Sequence, residues 1–141
     1  SHEPNGPKRV QLVHGMIKAG GNLNKLSHRL TIWLRSEARM TITLLANKKT
    51  AGINCGPFAI SIRDQKSRWG SCSSSGHLSF SWRLIMAPRQ ILDYVVAHES
   101  AHLVHMNHSV TFWELVAQMT NDVHGSKNWL KQHGGKLHRY G

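Results

Sequence analysis

With 141 residues, 40% of them hydrophobic, the chain can bury one core without disulfides or a structural metal, so a metal site in it would point to function. Eighteen Lys and Arg against seven Asp and Glu leave a net charge of +11. That balance suits acidic partners, nucleic acid included, but the basic residues are spread along the chain and no RNA-binding signature accompanies them.

Residues 1–9 read as a flexible N-terminal segment or a cloning remnant, because Ser1 to Gly6 is polar and carries Pro4 and Gly6. Residues 10–141 read as one domain without internal repeats. From a cap at Asn22 or Asn24, apolar residues recur at Leu23, Leu26, Leu30, Trp33, Leu34 and Ala38, then at Leu44 and Leu45. This helical period predicts a long amphipathic helix running to about Asn47 and stopped near Gly52.

Beyond Gly56-Pro57, the alternation of Phe58, Ile60 and Ile62 with Ala59, Ser61 and Arg63 predicts a half-buried strand. An extended piece over 68–73, the Ser74-Ser75-Gly76 turn and a return strand over 77–82, with Leu78, Phe80 and Trp82 on one face, complete a small antiparallel sheet of about three strands. Cys55 and Cys72 form neither a CxxC pair nor a disulfide framework. No run approaches the roughly 18 apolar residues of a membrane span. A soluble, cytoplasmic protein with no membrane partner is therefore expected.

Pro88 suits the first turn of a new helix, since it has no amide hydrogen to leave unpaired. Ile91, Leu92, Tyr94, Val95, Val96, Ala97, Ala101, Leu103 and Val104 give that helix an apolar surface too wide for one exposed face, so it is expected to be buried. A third helix is expected from Ser109 or Thr111, the latter forming a capping box with Glu114, and to end at Asn121 and Asp122. A last helix over 126–133 should bring Trp129 and Leu130 to the core before Gly134-Gly135 stops it.

The buried helix contains His98-Glu99-Ser100-Ala101-His102. Residues four apart lie one turn apart on nearly the same face, so both imidazoles can reach one ion, and Glu99 stands beside that line, where a carboxylate can act on water. A catalytic zinc needs a third protein ligand and an open fourth position. His105 on a straight helix would lie about 10.5 Å along the axis from His98, too far to converge, and is assigned to the surface or to ligand support. His108 converges only if the chain turns back, and Asn107 is a residue type that tolerates the left-handed conformation such a reversal uses. Eleven histidines raise the odds of an accidental HExxH. The weight of the signal therefore rests on its coincidence with a buried helix, a turn residue and a third histidine. Asp93 is either a hydrogen-bond partner of a ligand's second nitrogen or a solvated acid.

The run Asp64-Gln65-Lys66-Ser67-Arg68-Trp69-Gly70-Ser71-Cys72-Ser73, then Trp82-Arg83-Leu84-Ile85, Ala87-Pro88 and Asp93-Tyr94-Val95-Val96-Ala97-His98-Glu99, resembles the YgjP-like metallopeptidase family. So does the tail of the motif, His102-Leu103, Met106-Asn107-His108-Ser109 and Phe112-Trp113. More distantly the chain is similar to SprT and Wss-type peptidases. The resemblance implies an α+β, minimal zincin-like domain with His98, His102 and His108 as ligands of one zinc ion and Glu99 as catalytic carboxylate. Ser100 departs from it, standing where the family usually has an apolar residue.

The expected activity is hydrolysis of peptide bonds by a metal-activated water with Glu99 as general base, that is, a zinc metalloendopeptidase of the HExxH type. Arg68, Trp69, Gly70 and Ser71 are expected at the upper edge of the cleft, where a peptide or protein substrate could add as a further strand. Two alternatives remain open: a protease acting on DNA-associated proteins, suggested by the charge and the SprT-like kinship, and a non-catalytic binding module stabilised by its metal.

Overall fold

The computed structural model describes residues 23–57 and 59–139. The segment 1–9, the cap at Asn22 and Phe58 lie outside them.

Helix α1, Leu23–Gly52, is a 30-residue helix. It buries Leu26, Leu30, Leu34, Ala38, Ile42, Leu45 and Ala46, each large aliphatic side chain contributing about 1.5–3 kcal/mol when fully withdrawn from water. The buried stripe takes Ile42 and leaves Leu44 66% exposed. Of the adjacent pair Leu44 and Leu45, only one can face the core. The helix also runs past Asn47, because the Thr50 hydroxyl bonds back to the Ala46 carbonyl at 2.9 Å and is buried with it.

Three short strands follow: β1 (Ala59–Arg63), β2 (Gly70–Cys72) and β3 (His77–Ser81). β2 and β3 form the expected hairpin, antiparallel, with Ser71 opposite Ser79. β1 pairs with β3 in parallel, Ser61 opposite Ser79, so the sheet order is β1-β3-β2 and the sheet is mixed rather than antiparallel. The chain leaves β1 at one edge and crosses to the other before entering β2. Asp64 pins the start of that crossover, pairing with Arg83 and, at 3.2 Å, with Arg35. Trp82 is not the end of β3 as its alternation suggested. Ser81 caps a 3₁₀ helix, Trp82–Met86, by accepting from the Arg83 amide, and Trp82 is 1% exposed.

Helix α2, Arg89–Ala101, has Pro88 at its N-cap. It packs against α1, the sheet, and the two helices that follow: α3 (Val110–Met119) and α4 (Val123–His138). Ser109 rather than Thr111 caps α3, its hydroxyl accepting from the Phe112 amide at 3.2 Å. α3 ends at Met119, and Asp122 caps α4 by accepting from the Gly125 amide. Gly134 and Gly135 do not stop α4. Gly134 is buried against Trp69, where an added Cβ would lie 3.3 Å from the indole, so its missing side chain serves a close approach inside the helix. Leu130 packs on the core as expected, whereas Trp129 is half-buried with its ring 4.9 Å from that of His133.

Candidate metal centre

Every residue of α2 predicted to face the core through Ala101 does so, and Val104 is 46% exposed because the helix has ended before it. The amides of His102, Leu103 and Val104 bond to the carbonyls of Glu99, Ser100 and Ala101 at 3.0–3.2 Å, the tighter i→i−3 pattern that often closes an α-helix. Among the described residues the only non-glycine backbones at positive φ are Asn54 and Asp122. The reversal therefore comes from this 102–104 turn and not from a left-handed Asn107.

The turn brings three imidazoles together. One ring nitrogen each from His98, His102 and His108 lies within 4.8 Å of the other two, and no fourth His, Cys, Asp or Glu of the described residues joins the group. His105 contributes its backbone: its carbonyl lies 3.0 Å from His102 Nδ1 and, as acceptor, leaves the other ring nitrogen for the cluster. Glu99 Oε2 lies 3.0 Å from His98 Nδ1. Loss of hydration, then the charges on His102 and His98, hold His108 below the usual histidine range, favouring the neutral ring that can ligate.

Phe112, fully buried, underlies the whole cluster, with ring centroids 5.2, 4.4 and 5.0 Å from those of His98, His102 and His108. Trp113 stacks on His108 at 5.8 Å and carries the Lys127 ammonium 4.3 Å above its ring. In the sequence both stand in the tail of the motif that also carries His108, with no role assigned to them there.

A cavity of about 280 Å³ opens on the cluster, lined by His98, Glu99, His102 and His108 together with Arg68, Gly70, Ser71, Cys72 and Met106. A neighbouring cavity of about 240 Å³ shares Arg68, Gly70, His98 and Glu99 and continues to Trp69, Tyr94, Val95 and Leu130. Three of the four expected substrate-edge residues thus face the imidazoles. Trp69 borders only the second cavity and lies against His138 of α4, with ring centroids 3.9 Å apart and the planes tilted by 32°. Gly70 lets β2 approach α2, since a Cβ there would lie 2.8 Å from Glu99 Cγ. Cys72, Met106, Tyr94 and Leu130 were not among the site residues expected from the sequence. Burial, then the Glu99 charge, push the Cys72 thiol up to about 11 and the Tyr94 phenol up to about 12, so both stay protonated. Asp93 serves neither expected role: it pairs with Lys49 at 3.1 Å and accepts from the Thr120 hydroxyl, tying α2 to α1 and to the end of α3.

The YgjP-like metallopeptidase domain matches residues 7–133. The chain belongs to the YgjP-like metallopeptidase family. No curated protein and no solved structure was found to match it. Membership makes it a metallopeptidase acting on peptides or proteins, and the family match begins ahead of α1, earlier than the motifs alone delimit. No helix of the described residues is long and apolar enough to cross a membrane.

Proposed function

We propose that this metallopeptidase is a zinc endopeptidase in which His98, His102 and His108 hold the ion and Glu99 is the general base. The observation that carries this reading is the convergence of three imidazole nitrogens within 4.8 Å beside a carboxylate that borders the same cavity. Three imidazoles with no fourth candidate ligand among the described residues suit a catalytic zinc. A purely structural zinc would normally take four, which speaks against a metal-stabilised binding module. When bound, zinc supplies a Lewis acid that polarises a carbonyl and lowers the pKa of a water toward about 7.

The chain's own residues do the rest. Glu99, 7% exposed yet at the cavity wall, takes the proton of the attacking water as oxygen bonds to the carbonyl carbon. It then returns that proton to the amine as the C–N bond breaks. β2 is an edge strand, and its Gly70 and Ser71 border the cavity, so an extended peptide can add alongside it and lie across Glu99.

Metal analysis of protein purified without chelators should find one zinc per chain. Glu99→Gln should keep that zinc and lose peptide hydrolysis; undiminished hydrolysis by a zinc-loaded Glu99→Gln protein would refute the base assignment.

A second reading directs the same chemistry to proteins on nucleic acid. Its support is the net charge of +11, with Asp64 and Asp93 already paired to Arg83 and Lys49. DNA should then be retained in a salt-dependent way and should accelerate cleavage of a basic protein. No retention at low salt removes this reading and leaves the peptidase.

A further inference from the structure

We propose that Arg68 is a catalytic residue whose guanidinium stabilises the negative charge that develops on the scissile carbonyl oxygen. The inference rests on the peptidase reading and adds to it the oxyanion donor.

The two cavities meet at four residues, Arg68, Gly70, His98 and Glu99. A peptide lying along β2 passes from one cavity to the other at that junction, so its scissile bond faces Glu99 there. Among the described residues, Arg68 is the only permanently cationic side chain lining either cavity. It is exposed, and no hydrogen bond or ion pair engages it among the described residues. The residue after it is held: the Trp69 carbonyl accepts from the Ser81 amide at 2.9 Å, and the Trp69 ring lies against Gly134 and His138. The guanidinium is therefore tethered beside the junction and uncommitted, so a peptide carbonyl there can engage it with charge-assisted hydrogen bonds as negative charge appears.

The step balances. Water oxygen bonds to the carbonyl carbon and the π electrons move onto the carbonyl oxygen, which becomes the acceptor for the Arg68 N–H groups. The proton passes to Glu99, the double bond re-forms, and the C–N bond breaks as the amine takes that proton. The Cys72 thiol, protonated and a weak donor, is a poor substitute.

The test compares wild type, Arg68→Gln, Arg68→Lys and Tyr94→Phe, each checked for zinc content and melting temperature. An amide-capped peptide gives kcat and KM. Calorimetry gives the affinity of a phosphinic peptide, whose anion imitates the tetrahedral oxygen, and of the uncut parent peptide on a Glu99→Gln background. Arg68→Gln should lower kcat about 100-fold with little change in KM, and lower phosphinic affinity by a comparable factor while sparing the parent peptide. Added guanidinium ion should restore part of the rate. Unchanged kcat overturns the proposal, as does a loss that appears only for free-carboxylate peptides and only in KM, which would make Arg68 a reader of chain ends. A loss in Tyr94→Phe with Arg68→Gln unaffected assigns the donor to the phenol instead. Should wild type cut no peptide, the peptidase reading fails separately. Equal phosphinic affinity in wild type and Arg68→Gln would then still dismiss Arg68.

Discussion

The backbone carbonyl of His105 sits 3.0 Å from Nδ1 of His102, so a histidine whose ring stands outside the cluster sets the direction of one inside it. The contact exists because α2 tightens over 102–104 and folds residue 105 back beneath the ring. Substitution at position 105 should therefore matter little when the backbone path is kept. The packing beneath the imidazoles is expected to matter far more.

Phe112 touches all three imidazoles, and its loss should be felt by each. Phe112→Ala should cost about 3–5 kcal/mol of stability. Phe112→Leu should keep the fold and lower zinc affinity about 10-fold, read by competition with a chelator. Unaltered zinc affinity in a folded Phe112→Leu protein would show that the rings hold their places without this floor.

The two adjacent glycines of α4 should respond in opposite ways. At Gly135 an added Cβ meets only the far end of Arg139, at 3.7 Å, so Gly135→Ala should stabilise by about 0.4–1 kcal/mol through the unfolded chain. At Gly134 the Cβ would press on an indole that also packs on His138, so the same gain is offset by displacement of Trp69. Urea unfolding measures both, and an equal gain at the two positions would contradict this packing.

Ser100 is fully buried and its hydroxyl has no hydrogen-bond partner. Ser100→Ala removes that unsatisfied group and adds helix propensity, which together should raise stability by about 0.5–1.5 kcal/mol. The melting temperature should rise with zinc binding unchanged. A fall would reveal a partner for the hydroxyl.

The Arg83 guanidinium beside Asp64 holds its carboxyl below the usual carboxylate range, against the opposing effect of burial. A carboxylate depressed in the fold stabilises fully above the unfolded value of about 3.9, and that contribution is lost as pH falls through the lower folded value. Wild type should therefore lose stability as pH falls below about 4 more steeply than Asp64→Asn. Urea midpoints across that range make the comparison, and parallel curves would show that the pair contributes nothing.

The site was more legible in the sequence than the sheet. His98 and Glu99 lie in a helix whose burial shows in its own apolar pattern, His102 caps its end, and helical geometry alone disqualified the ring of His105. The parallel pairing of β1 with β3 was hidden, because alternation tells which side chains face inward and says nothing about which strand lies next door. That choice is made by the crossover, and the contact of Asp64 with Arg83 joins residues on either side of the hairpin. Periodicity also could not separate Leu44 from Ile42, nor see that Gly134 is empty space reserved for an aromatic ring. A glycine read along the chain looks like a stop, and only the tertiary neighbour turns it into a contact.

The contact of α4 with Trp69 ties the last helical turn to a residue that borders the second cavity, although that turn lies far along the chain from the imidazoles of His98 and His102. A cut between His133 and Gly134 would leave His98, His102 and His108 in the chain ahead of it and remove the helical turn that rests on Trp69, the residue next to Arg68. Ion capture and turnover would then come apart, with the first retained and the second lost.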